Sequence, residues 1–267
     1  MVRTCLVIGA MKAGTTTLFE LICQHPQVCR PVLKEPEFFS PYKANVVEDY
    51  DDLWKVDPDL HRYRVEASTG YTKARSAGVP KIIQEYGIEP KLIYILRDPF
   101  ARIESHYNYM RRSVQMDWSS RITDHHLIKA SDYISHVENF LAHFPRESLL
   151  LLDFDRLSRN PMAVAHEVFQ FLGLDDGGFV PIGGVRNPTK HDMSLAEVWL
   201  RRKLRSRFPK TPMALRRIGS NVLANFPAQG SKVYLSAHQR DFVYSCLAPG
   251  MGRLSGEFGV DVRKWGF

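Results

Sequence analysis

The run Thr4-Cys5-Leu6-Val7-Ile8-Gly9-Ala10-Met11-Lys12-Ala13-Gly14-Thr15-Thr16-Thr17-Leu18 decides the fold. Its four apolar residues, Cys5 to Ile8, suit a short strand buried on both faces. After the glycine-bounded turn, the threonines open a helix whose Leu18, Leu21 and Ile22 share one face, with Pro26 expected to end it. A strand, a glycine turn and a helix in that order aim free backbone N–H groups and the positive end of the helix at an anion.

Working outward, compact apolar runs recur at Tyr63 to Glu66, Leu92 to Leu96 and Leu149 to Leu152, alternating with helical patterns. One helix is expected after Asp98-Pro99, where Asp caps and Pro suits the first turn. Another should run from Pro161 with Val164, Val168, Phe171 and Leu172 inward, and stop at Gly173. Capping boxes at Ser194 to Glu197 and Ser236 to Gln239 mark two further helix starts. Alternating strands and helices predict the α/β class, with a central parallel sheet covered by helices on both faces. We expect one domain over residues 1–267. A basic helical cap at about 192–232 would carry Arg201, Arg202, Lys203, Arg205, Arg207, Lys210, Arg216 and Arg217, with no acidic residue from Leu200 to Arg217.

The composition, with 44% hydrophobic and 24% charged residues among 267, fits a globular chain with a sizeable core. The first apolar run is too short for a signal segment or a membrane span. Cys5, Cys23, Cys29 and Cys246 show no metal-site spacing, which favours a reducing, cytoplasmic setting. A formal net charge of +7 points to an anionic partner. The chain lacks aromatic stacking motifs and a recognisable nucleic-acid fold, so no nucleic acid is expected. The basic segment reads first as a solvated face, with an anionic acceptor or a membrane surface as alternatives.

The spacing Gly9 to Gly14 matches the start of a nucleotide triphosphatase loop. That loop needs Lys and then Ser or Thr after its second glycine, where this chain has Thr15 and Thr16. The lysine lies inside the turn instead, at Lys12, which argues against an ordinary kinase. A solvated lysine in a glycine turn is the plain alternative.

Gly-x-x-Lys-x-Gly-Thr-Thr-x-Leu, from Gly9 through Leu18, resembles the 5′-phosphosulfate loop of sulfotransferases that use the donor 3′-phosphoadenosine 5′-phosphosulfate, PAPS. Leu96 to Tyr107 looks like the 3′-phosphate motif of the same family. Arg97, at a strand's carboxyl end, can grip a phosphate bidentately, and Ser105 lies about two helical turns on. A salt bridge from Arg97 to Asp98 and a surface hydroxyl at Ser105 would be the bland reading. Arg102 and His106 are expected to serve packing. Asp153 to Leu157, Phe171 to Leu174 and Gly259 to Trp265 resemble further family segments. The resemblance implies a P-loop-like fold, PAPS as donor and adenosine 3′,5′-bisphosphate, PAP, as product, without a metal. Ala13, Gly14, Thr15, Thr16 and Thr17 would hold the 5′-phosphate together with Lys12, while Lys190, in a loop Arg186 to Lys190, would be a further 3′-phosphate ligand.

In-line sulfuryl transfer builds negative charge on the leaving phosphate oxygen, so a fixed cation there favours the transition state. Lys12 is the candidate. The acceptor must also lose a proton. Lys34-Glu35-Pro36-Glu37-Phe38-Phe39 resembles a segment of the glycan (heparan sulfate type) branch whose first glutamate is the base, implying Glu35. Glu37 is the rival, and His125, His126 and His191 stay open. Lys34 would steady the carboxylate or meet the sulfonate, and the two phenylalanines would exclude water. In some glycan enzymes the segment matching Glu66 to Tyr71 supplies a lysine. Ala67 stands at that place, with Lys73 nearby. The expected acceptor is a hydroxyl, less readily an amine, of a carbohydrate or secondary metabolite. A kinase-like phosphotransferase is the alternative.

Overall fold

The computed structural model describes residues 2–42, 47–112, 121–175 and 232–267. Strands β1 (Arg3–Gly9), β2 (Val28–Cys29), β3 (Tyr63–Ala67), β4 (Lys91–Leu96) and β5 (Leu149–Asp153) form one sheet in the order β2-β3-β1-β4-β5. Every pairing is parallel, and β1 lies centrally, with Leu6 opposite both Glu66 and Leu92. Cys5 to Ile8 are wholly buried, which is why that strand reads as a continuous apolar run and not an alternating one.

From β1 the chain passes through α1 (Thr15–Ile22) toward β2. From β3 it moves the other way through α2 (Val79–Glu85) to β4, then through α3 (Pro99–Arg112), α4 (His125–Lys129) and α5 (Tyr133–Leu141) to β5. Right-handed crossovers taken in opposite directions put helices on opposite faces. The packing agrees: α7 (Pro161–Leu172), which follows α6 (Phe154–Arg159), lies on α1, whereas α8 (Ala237–Phe258) lies on α5. This is the expected P-loop-like α/β architecture.

The expected starts and stops recur. Asp98 Oδ1 accepts the Phe100 N–H at 2.9 Å at the entry to α3, and Asn160 does the same for Ala163 at 3.1 Å before α7. Gly173 ends α7 in the left-handed conformation, with φ 65°. Ser236 and Gln239 close the capping box of α8. Three expectations change. Helix α1 ends at Ile22, well before Pro26, which sits exposed in the following turn. On α7, Phe169 is buried where Phe171 was expected, because Phe171 turns its ring to the Lys91 ammonium, 4.8 Å away. Strand β2 is two residues long, too short to carry a periodic signal. All four cysteines are free thiols. The cap at 192–232, apart from its last residue, the box at Ser194 and the loop Arg186 to Lys190, with His191, lie outside the described residues.

Candidate active site

The chain reverses direction across the sheet at β1, so the carboxyl ends of β1 and β4 face the crevice where doubly wound sheets bind ligands. The two loops that open there are the two phosphate motifs. Glycine is obligatory at position 9, with φ 144°: a Cβ would collide with Thr72 Oγ1, whose hydroxyl donates to the Ile8 carbonyl at 2.8 Å. Gly14 takes φ 83° as the N-cap of α1, where a Cβ would press on Phe154 and Leu157. Lys12 itself adopts φ 71°, so the turn winds tightly around the N-terminus of α1. Ala13 and Thr15 are buried within it, while Thr16 and Thr17 are half-buried.

Arg97 joins the motifs directly. Its Nη1 donates to the Lys12 carbonyl at 2.6 Å, and its guanidinium stacks over Phe154 at 4.4 Å. Burial lowers its pKa, although neighbours such as Tyr133 and Asp98 act the other way. The Tyr133 hydroxyl donates to the Arg97 carbonyl at 2.6 Å, fixing the end of β4. Burial raises the Asp98 carboxyl, which serves as the helix cap. Ser105 and Tyr109 share a face of α3, one turn apart. The Lys12 ammonium lies over the Tyr109 ring, 4.4 Å from its centre, so this face is turned to the loop with Ser105 half-buried on it.

Arg102 and His106 share the stripe of α3 that carries Ser105 and Tyr109 but are buried, as expected of packing residues. Arg102 is fully buried, donating to Ser131 Oγ, the Leu127 carbonyl and His106 Nδ1. Burial first, then Arg102 and Lys73, drive the His106 pKa down to about 2, leaving a neutral imidazole. Lys12 contributes to the same depression.

The acceptor segment meets the loop through Lys34. Its ammonium donates to Thr16 Oγ1 at 2.9 Å and to Glu35 Oε1 at 2.9 Å. Glu35 is exposed with φ 56°, and Glu37 takes φ 53°. The two glutamates differ sharply in surroundings. Glu37 is buried: its Oε1 accepts the Gly70 N–H at 2.7 Å and its own N–H donates to Ser68 Oγ at 3.0 Å. Burial raises its pKa, opposed by Lys73. Glu37 therefore anchors the segment to the turn at Thr69–Thr72, and Glu35 is the carboxylate open to a ligand. Phe38 and Phe39 pack on Tyr50, at 5.1 and 4.6 Å between ring centres, and hold the segment from below.

Further in, Glu66 is wholly buried and accepts hydrogen bonds from the Tyr50 and Tyr71 hydroxyls, both at 2.6 Å, and from Ser68. Burial raises its pKa. Ala67 is buried, while the Lys73 ammonium sits over Tyr42 at 4.8 Å. His125 and His126 belong to α4, and burial lowers the His126 pKa. Asp153 caps α6 and pairs with Lys264, joining two of the weaker family-like segments. Sequence reasoning passed over Tyr109 and the Thr72 contact, since neither sits in a motif. The repeated spacing Ser105, Tyr109 on a helix opening at the site was the available signal.

Two hydrogen-bonded loops at the switch point of a parallel sheet have the arrangement of an α/β nucleotide-binding fold. Residues 3–182 match the Sulfotransferase domain, and the chain belongs to that family. It is 29% identical over 188 residues to the human heparan sulfate glucosamine 3-O-sulfotransferase 3B1, covering 63% of this chain and 45% of that protein. Over 194 residues it is 28% identical to the human bifunctional heparan sulfate N-deacetylase/N-sulfotransferase 3, covering 63% and 22%. The chain thus spans less than half the length of these curated relatives. Among solved structures, the sulfotransferase from Alicyclobacillus acidocaldarius superposes with a TM-score of 0.69 at 19% identity, covering 100% of this chain and 99% of that one. Mouse sulfotransferase SULT7A1 complexed with PAP gives 0.52 at 14% identity, covering 97% and 88%.

Proposed function

We propose that the chain transfers a sulfuryl group from PAPS to a hydroxyl, or less readily an amine, of a carbohydrate or small-molecule acceptor, releasing PAP. The observation that carries this reading is the Arg97 to Lys12 hydrogen bond, which sets two anion-binding motifs side by side at the carboxyl ends of β1 and β4. A donor with phosphates at both ends of its nucleoside suits such a pair. The backbone of the loop and the Thr15, Thr16 and Thr17 hydroxyls would hold the 5′ end, with Arg97 and Ser105 at the 3′-phosphate. Lys190 is assigned to the same phosphate by resemblance alone.

Lys12 would stabilise the charge that grows on the phosphate oxygen as its bond to sulfur breaks. Glu35 would take the acceptor's proton while the new bond to sulfur forms. Its exposure and its pairing with Lys34 support that role, whereas the buried, anchored Glu37 fits a structural one. The glycan relatives support a carbohydrate acceptor, but Ala67 offers no cation for an acidic chain. Four free thiols support a cytoplasmic setting. Among the described residues no helix is long and apolar enough to cross a membrane.

Calorimetric titration with PAP and with ATP–Mg²⁺ tests the donor. PAP should bind tightly, and tight ATP–Mg²⁺ binding without PAP binding would favour the kinase-like reading. Labelled PAPS offered with heparan-type oligosaccharides and small hydroxylated compounds would then identify the acceptor.

A further inference from the structure

The loop residue Thr16 and the carboxylate of Glu35 are far apart in sequence, yet one ammonium touches both. Lys34 Nζ lies 2.9 Å from Thr16 Oγ1 and 2.9 Å from Glu35 Oε1, beside the Phe19 ring on the next turn of α1. The hydroxyl of Thr16 accepts from Lys34, which leaves its own hydrogen to donate to an oxyanion in the loop. Lys34 thus donates both ways, to the Glu35 carboxylate and to the Thr16 hydroxyl, whose own hydrogen is turned on to the phosphate site.

The backbone beneath this chain is held firmly. Glu35 and Glu37 both occupy left-handed conformations around Pro36, and Glu37 is bolted to Gly70 and Ser68. The Glu35 side chain has no comparable constraint. It is exposed, and among the described residues Lys34 is its hydrogen-bonding partner. An exposed ion pair of this kind adds little to stability. Its geometric effect is larger, because it decides where the carboxylate points.

We propose that Lys34 is a positioning residue that couples donor binding to the base, aiming the Glu35 carboxylate when Thr16 engages the donor's 5′-phosphate. The inference rests on the assignment of Glu35 as base. Lys34 thereby ties the direction of the deprotonating group to the loop that holds the group to be transferred.

The test is a double-mutant cycle between Lys34→Met and Glu35→Gln, with Lys34→Arg as the conservative variant. Turnover is followed as release of labelled sulfate from PAPS with water as acceptor, and binding by calorimetry with PAP. Lys34→Met should lower kcat by about tenfold to a hundredfold, the cost of a misdirected catalytic group. PAP affinity should change by less than about fivefold, the range for an exposed pair. Lys34→Arg, which keeps the charge and reaches both partners, should restore most of the turnover. In the Glu35→Gln background, Lys34→Met should slow the enzyme by no more than about twofold, because the two residues act as a unit. Full multiplication of the two effects would overturn the coupling while leaving Glu35 as base. Unchanged turnover in a Glu35→Gln variant that still binds PAP would overturn the base assignment and the coupling with it.

Discussion

Replacing Arg97 by Gln separates what this side chain does for the protein from what it does for the ligand. One N–H of the guanidinium is committed to the Lys12 carbonyl at 2.6 Å, and its face rests on Phe154 at 4.4 Å. Both contacts brace the loop and are lost whichever nucleotide is bound. A 3′-phosphate would be met by the remaining N–H groups of the fork, and a hydrogen bond to a charged group contributes about 1.5–3 kcal/mol. At 1.36 kcal/mol per decade that is about 10- to 150-fold in affinity. The measurement is the ratio of dissociation constants for PAP and for adenosine 5′-phosphate, which lacks the 3′-phosphate, by calorimetry on both proteins. Loss of bracing weakens both ligands and cancels in the ratio. Loss of a phosphate contact weakens PAP alone and raises it by about 10- to 150-fold. A ratio unchanged by Arg97→Gln would show that Arg97 is a brace alone and would refute its assignment to the 3′-phosphate.

Two further substitutions probe the site's surroundings. Tyr109→Leu removes the ring under the Lys12 ammonium, an interaction of about 0.5–1 kcal/mol at an exposed position, so turnover should fall about twofold to fivefold while Tyr109→Phe stays near wild type. Equal rates in all three proteins would show that the ring does not set the position of Lys12. Glu37→Gln should retain turnover, and it should also change the pH dependence of stability. Burial raises the Glu37 pKa above its ordinary 4.5, so the folded state holds that proton to higher pH than the unfolded chain. Stability contributed by the neutral form is complete below the unfolded pKa and is lost as pH rises through the folded one. Urea denaturation should therefore show a shallower decline above pH 4.5 in the variant. An unaltered slope, or lost turnover with intact PAP binding, would return Glu37 to consideration as the base.

Much of the architecture was legible because it is written locally. The apolar run at Cys5 to Ile8, the Asp98-Pro99 helix start, Gly173 and the Ser236 capping box each encode their structure within a few neighbours. Strand β2 was not legible, since two residues have no period and exist as a strand only beside β3. Phe169 and Phe171 could not be ordered by pattern alone, because the Lys91 ammonium that draws Phe171 outward arrives from another element. In the site, both phosphate motifs were readable as residue types at fixed spacing, but their connection through the Lys12 carbonyl was not. The rivalry between Glu35 and Glu37 turns on Ser68 and Gly70, some thirty residues away, and those contacts appear only once the chain is folded.

The four unpaired cysteines also give the molecule an addressable point. Reaction with a maleimide requires the thiolate. Burial holds Cys5 far above the range where thiolate forms at neutral pH, pushes Cys23 up to about 12 and raises Cys29 as well. Cys246 is exposed on α8, against the face of the sheet that carries α5. A fluorophore or a surface tether offered at neutral pH should settle there in preference to the other three thiols. Donor titrations and immobilised assays can then be run on the natural chain, with no cysteine removed and none added.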